Sequence, residues 1–154
     1  MDTEATADLD NGTITRSVLV GAPLQQTWDA LTDPKAIEQW WGHPAVFPGG
    51  VRQDATGTFE WVGHGLMPMR VERFDPPRHF DLRWGELGDD VPGENASLVQ
   101  FTLEPRDADH TVVTVVENGF THLQTAERRA AMEENVKGWT LVLDSFVKHV
   151  EQSS

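Results

Sequence analysis

Two glutamates are the best candidates for acid–base chemistry in this sequence. Glu117 ends a segment rich in β-branched residues, and Glu60 lies between two aromatic residues of an earlier segment. A carboxyl group that acts as a general acid or base near neutral pH must be buried, because burial raises its pKa. Glu117 is the better inward candidate, since it ends a central strand near the last helix. The sequence assigns no residue as catalytic.

Four further charged residues alternate with apolar ones in two neighbouring segments, and they are Arg70, Glu72, Asp81 and Arg83. Alternation of this kind predicts that they form a ladder of cross-strand pairs on the outer, solvated face of a sheet. A β-bulge would turn one of these side chains to the inner face of the sheet. There it would bind the polar end of a ligand.

Metal, nucleophile and phosphate sites are not predicted. The chain has no cysteine, and its histidines include no helical pair four residues apart. His43, His64 and His122 fall in loops that approach the mouth of an interior cavity, but we interpret them as surface residues. No Gly-x-Ser-x-Gly elbow and no lysine-containing phosphate loop occur. We therefore expect neither a metal nor another cofactor.

Large apolar side chains are the most informative content, with six tryptophans and seven phenylalanines. Many of them share the strand or helix face that should point inward. They indicate either a well-packed core or a partly hollow interior of about 300–1,000 Å³, the usual size of a ligand site. The predicted lining consists of Trp40, Trp41, Phe59, Trp61, Met67, Met69, Phe80, Trp84, Phe101, Glu117, Trp139, Leu143 and Phe146. The methionines favour the hollow interior slightly, because flexible thioethers line adaptable pockets.

The elements that position these residues follow from hydrophobic periodicity. A period of two predicts strands over 13–21, 56–62, 66–74, 78–84, 97–105 and 111–118. Helical spacing and the Asp33-Pro34 start signal predict helices over 24–32, 34–41 and 125–151. We expect residues 1–11 to be a disordered leader and residues 12–152 to form a single domain. The loop from Gly85 to Asn95 is long, acidic and rich in glycine, and we expect it to be a mobile flap.

This order of elements predicts an α+β helix-grip fold. A curved antiparallel sheet of about six or seven strands would surround one long C-terminal helix, because that helix must bury its apolar stripe against a sheet. Two short helices after the first strand would close one end of the interior.

Several motifs resemble those of a known family. The run from Trp28 to Pro34 (WDALTDP), followed by Gln39 to Gly42 (QWWG), is similar to a signature of the START-like SRPBCC superfamily. More narrowly, it resembles the branch named after the activator of heat-shock-protein ATPase. The run from Glu117 to Phe120 and the Gly138-Trp139 pair also resemble features of this branch. The resemblance implies the helix-grip fold and one of several roles: binding of lipids, hormones or polyketide intermediates, cyclisation or hydrolysis of small molecules, or assistance to a chaperone.

Composition restricts the partners. The chain has 12 basic and 25 acidic side chains, so its net charge of −13 repels nucleic acid and anionic membrane surfaces. The acidic first eleven residues do not resemble a secretory signal, and no cysteine requires an oxidising compartment. We therefore expect a cytoplasmic protein whose partner is a small hydrophobic ligand, and a homodimer is compatible with the sequence.

Three functions remain open, and structural features distinguish them. The leading hypothesis is binding of a small, largely hydrophobic molecule between the sheet and the C-terminal helix. An enzyme of the polyketide cyclase or hydrolase kind is the alternative, which a buried carboxylate without a partner in the cavity would favour. A co-chaperone-like or other protein-partner module is the third, and an apolar patch formed by Trp40, Trp41 and the Pro48–Gly50 loop would favour it.

Overall fold

The computed structural model describes residues 5–61, 63–85, 96–121 and 123–152. Within them, eight strands form one antiparallel sheet in the order β1-β2-β8-β7-β6-β5-β4-β3. In chain order the elements are β1 (Thr6–Asp8), β2 (Thr13–Val20), α1 (Leu24–Thr32), α2 (Pro34–Trp41), β3 (Ala45–Val46), β4 (Thr56–Trp61), β5 (Gly65–Asp75), β6 (His79–Trp84), β7 (Ser97–Asp107), β8 (His110–Asn118) and α3 (Thr125–Gln152).

The predicted α+β helix-grip fold is confirmed, but its strand count was too low. The two additional strands, β1 and β3, contain three and two residues and are too short to show an alternating pattern. Strand β1 lies in the predicted disordered leader, where Ala7 pairs with Ile14 of β2. The two short helices therefore follow the second strand rather than the first. Of the predicted flap, Gly85 to Asn95, residues 86–95 lie outside the described residues.

Local capping signals determine where α2 begins and ends. The Asp33 side chain accepts a hydrogen bond of 3.0 Å from the backbone N–H of Lys35, and Pro34 occupies the first turn. Gly42 ends the helix in the left-handed conformation, with φ of 88°, which glycine adopts without steric cost. This places Trp41 at the last residue of α2.

None of the described helices combines the length and apolar character that a membrane-spanning segment requires.

The core lies between the inner face of the sheet and α3. Burial alternates along β8, so Val113, Val115 and Glu117 share the inner face. The buried side of α3 consists of Met132, Trp139, Leu143, Phe146 and Val150. Because Glu117 occupies a core-facing position, the sheet presents one carboxyl group to the helix.

A second charged residue also lies on the inner face. Arg16 of β2 shares the parity of Ile14 and Val18, and its side chain is 4% exposed. Its guanidinium donates to the backbone carbonyl of Thr140 at 2.6 Å and contacts the Asp144 carboxylate at 2.6 Å. Arg16 therefore joins β2 to the middle of α3.

Candidate functional site

A pocket of about 130 Å³ lies between the end of the sheet and the middle of α3. Its lining comes from α2, β6, β8 and α3, and comprises Trp41, Trp84, Glu117, Asn135, Gly138, Trp139 and Val142. We call it the Glu117 pocket. Most of the lining is apolar, and the polar side chains that line it are those of Glu117 and Asn135.

Glu117 is 1% exposed, and its two carboxyl oxygens differ in their contacts. Oε1 accepts a hydrogen bond of 2.8 Å from the Trp139 indole Nε1 and one of 3.0 Å from the Asn135 side-chain amide. Oε2 is buried and has no hydrogen-bond partner among the described residues. Trp139 and Asn135, one helical turn apart on α3, thus hold one oxygen and leave the other vacant.

Burial raises the pKa of the Glu117 carboxyl group above its ordinary value of 4.5. The hydrogen bonds from Trp139 and Asn135 oppose this rise because they stabilise the ionised form. The polar groups of Trp84 and Ser97 also face the carboxyl group and oppose the rise more weakly, but neither makes a hydrogen bond to Oε2. The vacant oxygen can therefore donate a hydrogen bond when the group is protonated and accept one when it is ionised.

Three tryptophans from three different elements form one cluster at the pocket, which we call the tryptophan cluster (Trp41, Trp84 and Trp139). The Trp41 ring lies 5.4 Å from Trp84 at 66° and 5.6 Å from Trp139 at 57°, measured between ring centroids. Trp84 and Trp139 are nearly parallel, with an interplanar angle of 12° at 6.1 Å. Trp139 is buried, whereas Trp41 and Trp84 are half-buried, so the cluster extends from the core to the pocket mouth.

Gly138 leaves an opening in the helix wall of the pocket. It lies in the interior of α3 and is exposed, and a Cβ atom built on it would have no neighbour within 4 Å. Glycine in a helix interior destabilises the helix relative to alanine. Gly138 therefore borders the pocket without a side chain, at a cost in helix stability.

The structure places four of the thirteen predicted lining residues at the pocket and seven in the core, with Met67 and Trp61 in neither set. Trp41, Trp84, Glu117 and Trp139 lie at the pocket. Met67 is partly buried against the core, and the side chain of Trp61 lies outside the described part of the structure. The remaining residues pack within the core, and these are Trp40, Phe59, Met69, Phe80, Phe101, Leu143 and Phe146.

Contacts between aromatic rings explain why the pocket is smaller than the hollow interior considered above. Phe80 stacks on Phe101 at 6.1 Å, and Trp40 meets Phe146 edge to face at 5.0 Å. These rings fill space that the sequence pattern allowed to be empty. Asn135, Gly138 and Val142 also line the pocket but were not among the predicted lining residues. Asn135 precedes Trp139 by four residues and lies on the same helix face. A polar residue on this otherwise apolar face was the sequence signal that could have identified Asn135 as a site residue.

The other candidate residues lie elsewhere. Arg70 and Arg83 both contact Glu72, at 2.6 and 2.9 Å, so three of the four predicted residues pair as expected, and the bulge between Val71 and Arg73 brings none of these three to the pocket. Asp81, the fourth predicted residue of the outer ladder, is buried rather than solvated. Burial raises the pKa of its carboxyl group.

Glu60, His43 and His64 also lie outside the pocket lining, and His122 lies outside the described residues. Within the described residues, no three acidic or histidine side chains are grouped so as to hold a metal ion.

The antiparallel sheet that holds a long C-terminal helix above a pocket defines a helix-grip protein of the START-like SRPBCC superfamily. Residues 21–151 match the family described as Activator of Hsp90 ATPase homolog 1-like protein, and the chain belongs to this family. No curated protein matches the chain significantly.

Solved structures share the fold at low sequence identity. The protein MLL2253 from Mesorhizobium loti is 20% identical, with a TM-score of 0.76 over 92% of this chain and 98% of its own. CalU16 from Micromonospora echinospora is 22% identical, with a TM-score of 0.66 over 92% of this chain and 82% of its own. DynU16, a protein of the dynemicin biosynthetic locus, is 19% identical, with a TM-score of 0.74 over 93% of this chain and 48% of its own.

Proposed function

We propose that this protein binds a small, largely apolar molecule in the Glu117 pocket, and that the Glu117 carboxyl group contacts a polar group of that ligand. The observation that carries the proposal is the vacant Oε2 oxygen, which is buried without a partner where Glu117 lines the pocket. Buried polar atoms are nearly always hydrogen-bonded in folded proteins, and leaving one unpaired costs stability. A ligand that completes this contact would recover that cost.

The remaining lining supplies the apolar part of the binding energy. Trp41, Trp84 and Val142 are all half-buried and border the pocket, so a ligand would remove their remaining exposed surface from water. The volume of about 130 Å³ lies below the range usual for drug-sized ligands. The pocket therefore suits a compact molecule, or one end of a larger molecule whose remainder stays at the half-buried mouth.

Membership of the family and the shared fold support a ligand-binding role, although a fold by itself does not assign one. A protein encoded in the dynemicin biosynthetic locus has the same architecture, so the scaffold is compatible with small-molecule chemistry.

Two substitutions at Gly138 provide the test. Because no atom lies within 4 Å of a Cβ at this position, Gly138→Phe places a ring at the pocket without disturbing the core. Gly138→Ala is the matched control, since its methyl group leaves most of the opening free. Native mass spectrometry of the purified proteins, followed by a thermal-shift screen of small apolar compounds, measures occupancy.

We expect wild type and Gly138→Ala to retain a molecule or bind compounds from the screen, and Gly138→Phe to lose them while remaining folded. Equal binding by all three proteins would show that ligands bind elsewhere. No bound molecule and no thermal shift in any protein would contradict the proposal.

An acid–base enzyme is the second candidate function, and a specific observation favours it. Glu117 is a buried carboxyl group with a raised pKa and one oxygen free to reach a bound molecule. Such a group can remove a proton from a ligand or return one, as cyclisation or isomerisation requires. Glu117→Gln keeps the shape of the side chain but cannot transfer a proton. If the protein is an enzyme, this variant still binds the ligand but no longer converts it, as followed by mass spectrometry over time.

Among the described residues, Trp40 does not support the protein-partner role for which it was a candidate. Trp40 is 3% exposed, because its ring packs on Phe146 and its indole N–H donates to the backbone carbonyl of Ala30 at 2.9 Å. Trp40 therefore adds nothing to an apolar patch with the Pro48–Gly50 loop. The co-chaperone-like role is accordingly not part of this proposal.

A further inference from the structure

We propose that the ligand of the Glu117 pocket is a small organic cation, above all an alkylated ammonium group, held by the tryptophan cluster and by the vacant oxygen of Glu117. This inference rests on the proposed function and names the chemical class of the ligand.

The tryptophan cluster supplies the first part of the argument. The face of an indole ring carries negative electrostatic potential and attracts cations, more strongly than the face of any other aromatic side chain. Trp41, Trp84 and Trp139 come from α2, β6 and α3, and two of the three ring pairs are steeply inclined, at 66° and 57°. A pocket bordered by rings in different orientations resembles the aromatic cages that bind quaternary ammonium groups.

The charge of the lining supplies the second part. Glu117 is the one charged side chain that lines the pocket among the described residues, and no lysine or arginine accompanies it there. Its Oε2 atom has no partner, so an ionised Glu117 would place an uncompensated negative charge in a desolvated site. A bound cation provides the missing countercharge, and the net charge of −13 attracts cations toward the protein.

Size and polarity supply the third part. An alkylated ammonium group is compact and has an apolar surface, and it fits the volume of about 130 Å³ and the apolar lining. A tertiary ammonium keeps one N–H that can donate to Oε2, whereas a fully alkylated nitrogen contacts that oxygen through its charge alone.

Proton linkage distinguishes a cation from a neutral ligand. The groups that face Glu117 are Trp139 and Asn135 from α3, Trp84 from β6 and Ser97 from β7, and none of them is charged. Its register partners on the flanking strands, Ile14 and Val99, are apolar. Burial raises the pKa of the Glu117 carboxyl group, and a bound cation would lower it again, so cation binding is linked to loss of the proton. The affinity for a cation therefore rises as the pH passes upward through the pKa of the empty site, whereas the affinity for a neutral acceptor, which needs the protonated form, falls.

Choline and its neutral carbon isostere, 3,3-dimethylbutan-1-ol, are the probes that test this inference. The two molecules have nearly the same shape, and they differ in the charge of one central atom. Isothermal titration calorimetry from about pH 4.5, the ordinary pKa of a glutamate, to about pH 8, in buffers of different ionisation enthalpy, measures affinity and proton release. We expect choline to bind about tenfold or more tightly than the isostere, with an affinity that rises with pH.

Variants separate the role of Glu117 from general electrostatics. Glu117→Gln should abolish the preference for choline and the proton release. Glu134→Gln, which removes an equal charge from an exposed position of α3, should change neither. Trp84→Leu removes one half-buried ring of the cluster and should weaken choline more than the isostere, which tests the inference independently if Glu117→Gln does not fold.

Equal affinity for the two probes, or a choline affinity that falls as the pH rises, would overturn the inference. So would the failure of choline to bind a protein that binds neutral compounds from the thermal-shift screen. In each of these cases the ligand is not a cation recognised by Glu117, but the proposed binding of a small apolar molecule in the Glu117 pocket still stands. If no compound of any class binds, the proposed function itself is wrong.

Discussion

Trp139, in the middle of α3, donates a buried hydrogen bond of 2.8 Å from its indole nitrogen to Glu117 at the end of β8. The same indole ring packs against Trp41 and Trp84, so one side chain contributes both to the apolar lining and to the polar contact of the pocket. Because this bond joins the sheet to the helix, changes to the site should also change the stability of the fold.

Replacement of Trp139 with phenylalanine should affect both properties. Trp139→Phe removes one of the two donors to Oε1, and we expect a loss of about 1–3 kcal/mol in the free energy of unfolding. The pKa of Glu117 should rise further, because the strongest contact that lowers it is gone. Urea denaturation measures the first effect, and NMR titration of the Glu117 side-chain carbon measures the second.

Trp40→Phe is the matched control for that prediction. It removes a buried indole hydrogen bond to the Ala30 carbonyl, but it does not touch Glu117. It should lower stability and leave the titration of Glu117 unchanged. A shift of the Glu117 titration in both variants would mean that loosening of the core, rather than the lost hydrogen bond, is the cause.

The stability of the protein should depend on the protonation of Glu117. Its pKa in the folded state lies above the unfolded value of about 4.5. Its protonated form therefore contributes stability that is fully present below that value and is lost as the pH rises through the folded pKa. Glu117→Gln, which stays neutral, should gain stability relative to wild type over this range, as measured by urea denaturation at several pH values.

Asp81 must be measured in parallel, because burial raises its pKa and its contribution has the same sign. Asp81→Asn should remove the contribution of Asp81 to the pH dependence of stability and leave that of Glu117 unchanged. If the difference between wild type and Glu117→Gln does not change with pH, then Glu117 keeps an ordinary pKa in the folded protein.

Arg16 should be important for stability, although it does not line the pocket. Arg16→Met retains much of the apolar stem but removes the charged hydrogen bonds to Thr140 and Asp144, and we expect a loss of about 1.5–3 kcal/mol. Asp144 is 57% exposed, so Asp144→Asn should cost about 1 kcal/mol or less, since water replaces the lost contact. Chemical denaturation of both variants tests the ranking, and equal losses would contradict it.

Gly138→Ala should stabilise the protein by up to about 1 kcal/mol, because alanine is the better helix former. No atom lies close enough to the added methyl group to oppose this gain. Thermal unfolding measures the change. A loss of stability would show that Gly138 supports a contact or a conformation that alanine cannot adopt.

The order of the larger elements could be predicted from the sequence, because alternation and helical spacing are local properties. The apolar stripe of α3 and the Asp33-Pro34 start of α2 required no tertiary information. Strands β1 and β3 could not be predicted, since two or three residues show no period and become strands only by pairing with β2 and β4.

The sequence by itself predicted an inward position for Glu117 and Trp139, because a side chain's face follows from its parity along a strand or its spacing along a helix. It did not predict that the charged Arg16 also lies on the inner face. Only the tertiary structure decided which inward residues fill the core and which border open space. Phe80 and Phe101 pack on each other, whereas Trp41 and Trp84 border the pocket, and this difference depends on how separate elements meet. The vacant oxygen of Glu117 was decided in the same way, because α3 presents two donors to one oxygen and none to the other.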